Sequence, residues 1–220
     1  MQEINLGKNN IGTSQRNLSK KTYEIIKRLF DIICSFAALV ILSPILLLVS
    51  ILIKLESAGP VIFKQERVGL NNKKFKMYKF RSMVINAEEL KAKLIEQNER
   101  NGPMFKIKDD PRVTKIGRFI RKTSIDELPQ LINILKGEMS IVGPRPSLPK
   151  EVNEFDPWML ERFNVKPGLT CYWQVQGRDQ IEFEDWMKLD VKYVKDRNFF
   201  LDLKLIFKTF FVFLGDEHAS

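Results

Sequence analysis

Histidine is nearly missing from this 220-residue sequence: the single one, His218, stands three residues from the end. That argues against a Ser-His-Asp triad and against a histidine-rich zinc site. Cysteine is scarce too. Cys34 and Cys171 show no metal-ligand spacing, and Cys34 lies inside an apolar run. Both are expected to be reduced and structural, in a chain facing the cytosol. There is no internal repeat, no low-complexity tract and no Ser/Pro-rich linker. Catalysis, if present, is left to carboxylates, Lys and Arg, and a hard metal such as Mg²⁺.

Positive charge is what the sequence has in excess. The formal net charge is +9 and the pI is about 9.5. Such a balance suits nucleic acid, anionic lipid or a phosphorylated small substrate. Nucleic acid is the weakest of the three: no helix-turn-helix, zinc-finger or ribonucleoprotein motif is present, and the basic residues gather beside an apolar run.

That run covers residues 32–53 without a charge. About 20 apolar residues suffice to cross a bilayer. Two features favour a different course. Ser43-Pro44 falls mid-run, where proline lacks the N–H and clashes with the carbonyl four residues back. Both flanks are basic, with Arg16, Lys20, Lys21, Lys27 and Arg28 before, and Lys54, Lys64, Arg67, Lys73 and Lys74 after. Basic flanks stay in the cytoplasm, so both ends ask for one side. A helix that enters, breaks near Ser43-Pro44 and returns satisfies both, each half reaching roughly 16 Å. At the other end, residues 199–214 read FFLDLKLIFKTFFVFL. Leu203, Phe207, Phe210 and Leu214 recur at helical spacing, which suits an interfacial helix or one packed on the core.

Between these segments the expected class is α+β, mostly helical. Strands are expected at 61–64 and 74–80. Helices are expected from Asn86 to about Arg100 (stopped by Gly102-Pro103), around Val113, Ile116 and Ile120, from about Leu128 to Lys136 (stopped by Gly137), and over 181–195. The expected organisation is a tail (1–23), a membrane hairpin (24–58), a catalytic domain (59–198), an interfacial helix (199–214) and a tail (215–220).

The segment TSIDELPQLINILKGEMSIVGPRP, residues 123–146, holds the candidate chemistry. Asp126 and Glu127 stand side by side at a helix start. Ser124 followed by Glu127 also reads as a capping box, which by itself accounts for two acids in a first turn. Around the pair lie Arg112, Arg118, Arg121, Lys122 and Arg145, the last held between Pro144 and Pro146, which suits bidentate phosphate capture. FKQERVG (63–69), KFRSM (79–83) and KPGLTCYWQVQGRD (166–179) add further cations.

In this order the motifs resemble the bacterial sugar transferase family, the monotopic phosphoglycosyl transferases, over about residues 24–214. The resemblance implies a re-entrant membrane helix, a catalytic domain on the cytoplasmic face of the bacterial inner membrane, Mg²⁺, and a nucleophilic aspartate at Asp126 with Glu127 as partner. On this reading both carboxylates are also metal ligands. Arg145, Arg121, Arg81, Lys79, Arg112 and Arg178 are candidate phosphate contacts, and Ser43 and Pro44 mark the membrane break. The substrates are a UDP-sugar and polyprenyl (undecaprenyl) phosphate, and a homodimer is compatible with all of this. Larger relatives add spanning helices ahead of the unit, so a minimal form is expected. The competing reading is a non-catalytic membrane-anchored scaffold. Which UDP-sugar is carried stays open.

Overall fold

The computed structural model describes residues 7–94, 107, 109–177 and 181–215, with side chains from residue 20 to 212. The expected helical stretch from 95 to Arg100, its Gly102-Pro103 stop, Arg178 and His218 lie outside the described residues. Helix α1 runs from Gly7 to Glu56. A β1–β2 hairpin follows (Ile62–Val68 and Lys74–Phe80), antiparallel in register Ile62 to Phe80 through Val68 to Lys74. Helices α2 (Ala87–Lys93), α3 (Lys115–Lys122) and α4 (Gln130–Lys136) come next. Strand β3 (Ser140–Val142) pairs in parallel with β4 (Gly168–Thr170), and between them lie α5 (Pro149–Val152) and a 3₁₀ stretch, Pro157–Asn164. Helices α6 (Tyr172–Val175), α7 (Phe183–Asp196) and α8 (Phe199–Gly215) complete the chain. The class is α+β, mostly helical.

Helix α1 starts inside the segment expected as a tail and is not interrupted at Ser43-Pro44. The expected break does not appear as an interruption: the backbone stays helical through Ser43-Pro44, and α1 carries its proline. Pro44 cannot donate to the carbonyl of Val40, and Ser43 Oγ donates to that carbonyl instead, at 2.8 Å. The orphan acceptor that would open the helix is thus satisfied locally, as apolar surroundings demand.

One face of α1 packs along the domain. Asp31 and Ser35 are buried, Ala38 and Leu39 meet Met77, Leu131 and Met139, and Leu46, Val49 and Ile53 meet Phe80 and Ile120. The other face is apolar and uncovered, with Ile33, Phe36, Val40, Ile41, Leu47, Leu48, Ile51 and Leu55 exposed. Helix α8 repeats the arrangement. Leu205 is buried with Tyr193 and Val142, while Phe200, Phe207, Phe210 and Phe211 are exposed. The Leu205 face meets the core expectation, and the opposite, phenylalanine-rich face is uncovered. An uncovered apolar surface of this extent belongs against lipid or protein. Among the described residues one helix, within Lys20–Glu56, is long and apolar enough to cross a membrane.

Two arginines tie α1 to the domain, Arg28 from just before the apolar run and Arg81 just past its C-terminal end. Arg28 donates to the carbonyls of Ile134 (2.5 Å) and Leu135 (2.8 Å), near the end of α4. Arg81 donates to the carbonyls of Ala58 (2.6 Å) and Ser57 (2.7 Å), where α1 runs out of intrahelical partners. Gly59 beside it has φ +118°, and a Cβ there would stand 2.2 Å from the Arg81 guanidinium. Arg81→Met should therefore leave buried acceptors unpaired and cost about 3 kcal/mol. A drop in the thermal midpoint of the detergent-solubilised chain would show it, whereas an unchanged midpoint would contradict the capping role.

Candidate functional site

Asp126 and Glu127 sit in a 3₁₀ turn, Ile125–Glu127, between α3 and α4. Ser124 ahead of them is left-handed (φ 54°) and makes no side-chain cap, so the capping-box account of the two acids is not realised. The turn projects them differently. Asp126 is buried, and its carboxyl is pushed up to about 6 by that burial; the Lys79 charge opposes the shift, Glu127 adds to it, and Arg121 and Arg145 oppose it. Glu127 is half-exposed. Lys79 Nζ, from β2, donates to its Oε1 at 2.6 Å, and an Arg145 terminal nitrogen lies 3.8 Å from the same oxygen.

Glu127, Lys79 and Arg145 border a cleft of about 240 Å³, also lined by Arg67, Gln130, Gly168 and Gln174. Gln130 lies one helical turn beyond Asp126, and its buried Nε2 has no hydrogen-bond partner among the described residues. Two ionised groups of opposite sign with unspent donors beside them suit a polyanion carrying a phosphate.

The position of Arg145 is built from its backbone outward. The carbonyls of four consecutive residues each accept a hydrogen bond: Pro144 from the Gly168 N–H (3.0 Å), Arg145 from Arg162 (2.6 Å), Pro146 from Arg67 (3.0 Å) and Ser147 from the Val68 N–H (2.9 Å). Arg162 also donates to Ser147 Oγ at 2.7 Å and stands 2.7 Å from a carboxylate oxygen of Asp190; both of these side chains are fully buried. Burial pushes the Asp190 carboxyl up to about 6, against the pull of Arg162. The two strands leave no room for side chains: a Cβ on Gly143 would stand 2.3 Å from the Lys166 carbonyl oxygen, and one on Gly168 would stand 2.2 Å from the Gly143 nitrogen. Outward, the Arg145 guanidinium lies 5.6 Å over the Trp173 ring.

Of the residues singled out in the sequence, the cleft brings together Glu127, Lys79 and Arg145, with Asp126 buried behind Glu127 in the same turn and Arg121 acting on its charge. Two others are placed elsewhere. Arg81 is spent on the end of α1. Arg112 forms a buried fork with Asp110 (2.9 and 2.6 Å) and donates to the Ala87 carbonyl at 3.1 Å. Carbonyl and carboxylate acceptors nearer to hand account for both. Sequence reasoning missed Arg67, Gln130, Arg162 and Asp190. Arg67 carried a local signal as a cation of FKQERVG, and Gln130 as a donor one turn from the acids; the Arg162–Asp190 pairing joins distant segments.

Fold and site together define a basic, carboxylate-bearing cleft on a domain mounted along an apolar-faced helix. The bacterial sugar transferase model matches residues 22–216, and the chain belongs to that family. It is 44% identical over 196 residues to a galactosyl transferase, CpsE, of Streptococcus agalactiae, covering 89% of this chain and 43% of that protein. It is 42% identical over 213 residues to an undecaprenyl-phosphate galactose phosphotransferase of Salmonella typhimurium, covering 93% and 44%. It is 38% identical over 187 residues to an exopolysaccharide production protein, ExoY, of Rhizobium meliloti, covering 83% of each. The chain thus spans less than half the length of the first two and most of the third.

Removing the guanidinium of Arg162 isolates a buried carboxylate and frees two loop acceptors. Arg162→Met should cost about 3–5 kcal/mol, and Arg162→Met/Asp190→Leu should recover part of it. Thermal unfolding of the single and double variants decides; a double variant no more stable than the single one would deny the pairing any share in the loss.

Proposed function

We propose that this chain is a phosphoglycosyl transferase that moves a sugar 1-phosphate from a UDP-sugar to polyprenyl phosphate, giving polyprenyl diphosphate sugar and UMP. The observation that carries the reading is a buried aspartate beside a glutamate in a cleft rimmed by Lys79, Arg67 and Arg145, in a member of the sugar transferase family. The names of relatives, an undecaprenyl-phosphate galactose phosphotransferase among them, support a lipid-linked acceptor.

In the first step an Asp126 carboxylate oxygen attacks the sugar-bearing phosphorus. A P–O bond to that phosphorus forms, the diphosphate P–O bond breaks, and UMP leaves with the electron pair. In the second step an oxygen of the lipid phosphate attacks the same phosphorus and Asp126 departs as carboxylate. Arg145 and Lys79 neutralise the approaching phosphates, without which carboxylate and diphosphate repel. The four carbonyl anchors keep the Arg145 backbone in place, so little orientation is lost on binding. Gln130 Nε2 supplies a neutral donor. The donor set also fits Mg²⁺, which takes one or two protein carboxylates and completes its shell with water and phosphate. Asp126 and Glu127 would hold it, and bound there it would offset charge on the diphosphate. Among the described residues no group of three or more such ligands offers a site made of protein alone.

Asp126→Asn keeps the shape but cannot form the ester. UMP release should fall at least about 1,000-fold, with the chain still folded. Wild-type chain incubated with UDP-sugar alone should show, on digestion and mass spectrometry, a sugar-phosphate adduct on the peptide containing Asp126. Turnover retained in the variant would instead indicate direct attack by the lipid phosphate, and no UMP release from the wild-type chain would indicate a scaffold.

We further propose that α1 is re-entrant, placing both its flanks on the cytoplasmic face of the inner membrane. The support is that Arg28 and Arg81 bind the two ends of the apolar run to one domain. A spanning helix would separate those ends by about 30 Å of hydrocarbon. Cysteines introduced at Lys21 and at Lys188 should share one accessibility to an impermeant reagent in intact cells and inverted vesicles; opposite accessibility would establish a span.

A further inference from the structure

A second cavity, of about 350 Å³, borders β3 at Ser140 and Val142 and shares no lining residue with the carboxylate cleft. Helix α1 gives it Glu24, Lys27, Arg28 and Asp31, which fall on one helical face, and Lys166 and Arg197 join them. Four cations thus face two carboxylates. Three of the cations have protein partners: Lys27 is paired with Asp202 at 2.7 Å, Arg28 with the α4 carbonyls, and Arg197 with Glu24 at 3.3 Å.

Lys166 is different. Its side chain is half-buried and, among the described residues, has no hydrogen bond and no ion pair within 4 Å. Its ammonium and an Arg28 terminal nitrogen lie 3.7 and 3.4 Å from the point where a Cβ on Gly137 would stand, so two like charges converge there. Burial and, after it, the Arg28 charge lower the Lys166 pKa. Ser140 Oγ, also buried on this cavity, has no well-aligned hydrogen-bond partner, although Asp31 stands close to it. The negative end of α4 accounts for Arg28, whose guanidinium uses its carbonyls, whereas Lys166 makes no direct pair and meets only the more distant opposing charges of Asp31 and Glu24.

We infer that this cavity binds the phosphodiester headgroup of an anionic phospholipid, with Lys166 as the principal cation. A phosphate oxygen relieves the Lys166–Arg28 repulsion, and Ser140 offers a neutral donor. The lipid source follows from the surroundings. On its outer side the same stretch of α1 exposes Ile25, Ile26 and Leu29, and Phe30 packs edge-on against Phe199, next to the exposed Phe200. Acyl chains attached to a phosphate in the cavity have an apolar surface to lie on; a free anion does not use it.

The test is native mass spectrometry of the full chain in detergent, titrated with phosphatidylglycerol, phosphatidylcholine or inorganic phosphate. Wild type should prefer phosphatidylglycerol over phosphatidylcholine by at least about fivefold, the weight of one lysine at an anionic membrane surface. Lys166→Gln should abolish the preference. Lys166→Arg should keep it, and so should Lys188→Gln, which alters an exposed lysine elsewhere. The inference is overturned if Lys166→Gln keeps the preference, if Lys166→Arg loses it along with Lys166→Gln, or if inorganic phosphate displaces the lipid at equal concentration. The last result would assign the cavity to a soluble anion. None of these readouts depends on UMP release, so the site stands or falls apart from the transferase reading.

Discussion

The buried Arg162 guanidinium is the fixed point on which the cleft depends. It joins α7, through Asp190, to the segment carrying Arg145, and it does so with no exposed surface of its own. A charge pair in such a place costs desolvation that a hydrophobic pair would not. The return is positional. A guanidinium has a rigid fork of donors, and here that fork reaches a backbone carbonyl, a hydroxyl and a carboxylate at once. Arg67 and two backbone N–H groups hold the neighbouring carbonyls. Arg145 therefore hangs from a backbone held at four successive residues, while its own side chain is left to the cleft.

The same geometry explains what could be read in advance. Local chemistry was legible: the β2 strand, the Gly137 stop of α4 with φ +83°, and the apolar run of α1 all follow from a few neighbouring residues. The acidic pair and the proline-flanked arginine were legible because their spacing is itself unusual. Arg81 and Arg112 show where local reading ends. An arginine on a strand near a phosphate site looks like a ligand, but a nearby helix end or aspartate outcompetes the site for it, and that acceptor is named by the fold. Arg162 and Asp190 are the converse. Each looks like a surface charge on a helix, and only the approach of two distant segments makes them a buried pair. Ser43-Pro44 is an intermediate case: the lost hydrogen bond was foreseeable, but the hydroxyl that repairs it keeps the helix whole.

The apolar helix and the carboxylate cleft share one scaffold. The inner face of α1 packs against residues from β2 and α4, and β2 also carries Lys79. The 3₁₀ turn bearing the carboxylates leads directly into α4, whose end is held by Arg28 of α1. The cleft is thus tied to the apolar helix through packed, regular elements rather than a flexible linker. Under the proposed reaction this matters, because one substrate is soluble and the other has its phosphate at the bilayer surface.

The adjacent carboxylates are differentiated by where their side chains go. Glu127 is engaged by Lys79 and faces the cleft, so its charge is balanced before any substrate arrives. Asp126, one residue earlier, is withdrawn from water, and burial alone disfavours its charge; Lys79, Arg121 and Arg145 restore part of what burial removes. A carboxylate that is poorly hydrated yet still ionisable near neutral pH has little solvent to shed when it approaches phosphorus. In a regular α-helix the two acids would lie about 100° apart on one solvent-facing first turn. The tighter 3₁₀ turn, entered through a left-handed Ser124, sends one inward and one outward. The backbone conformation at Ser124 therefore contributes to the proposed chemistry as directly as the acids themselves.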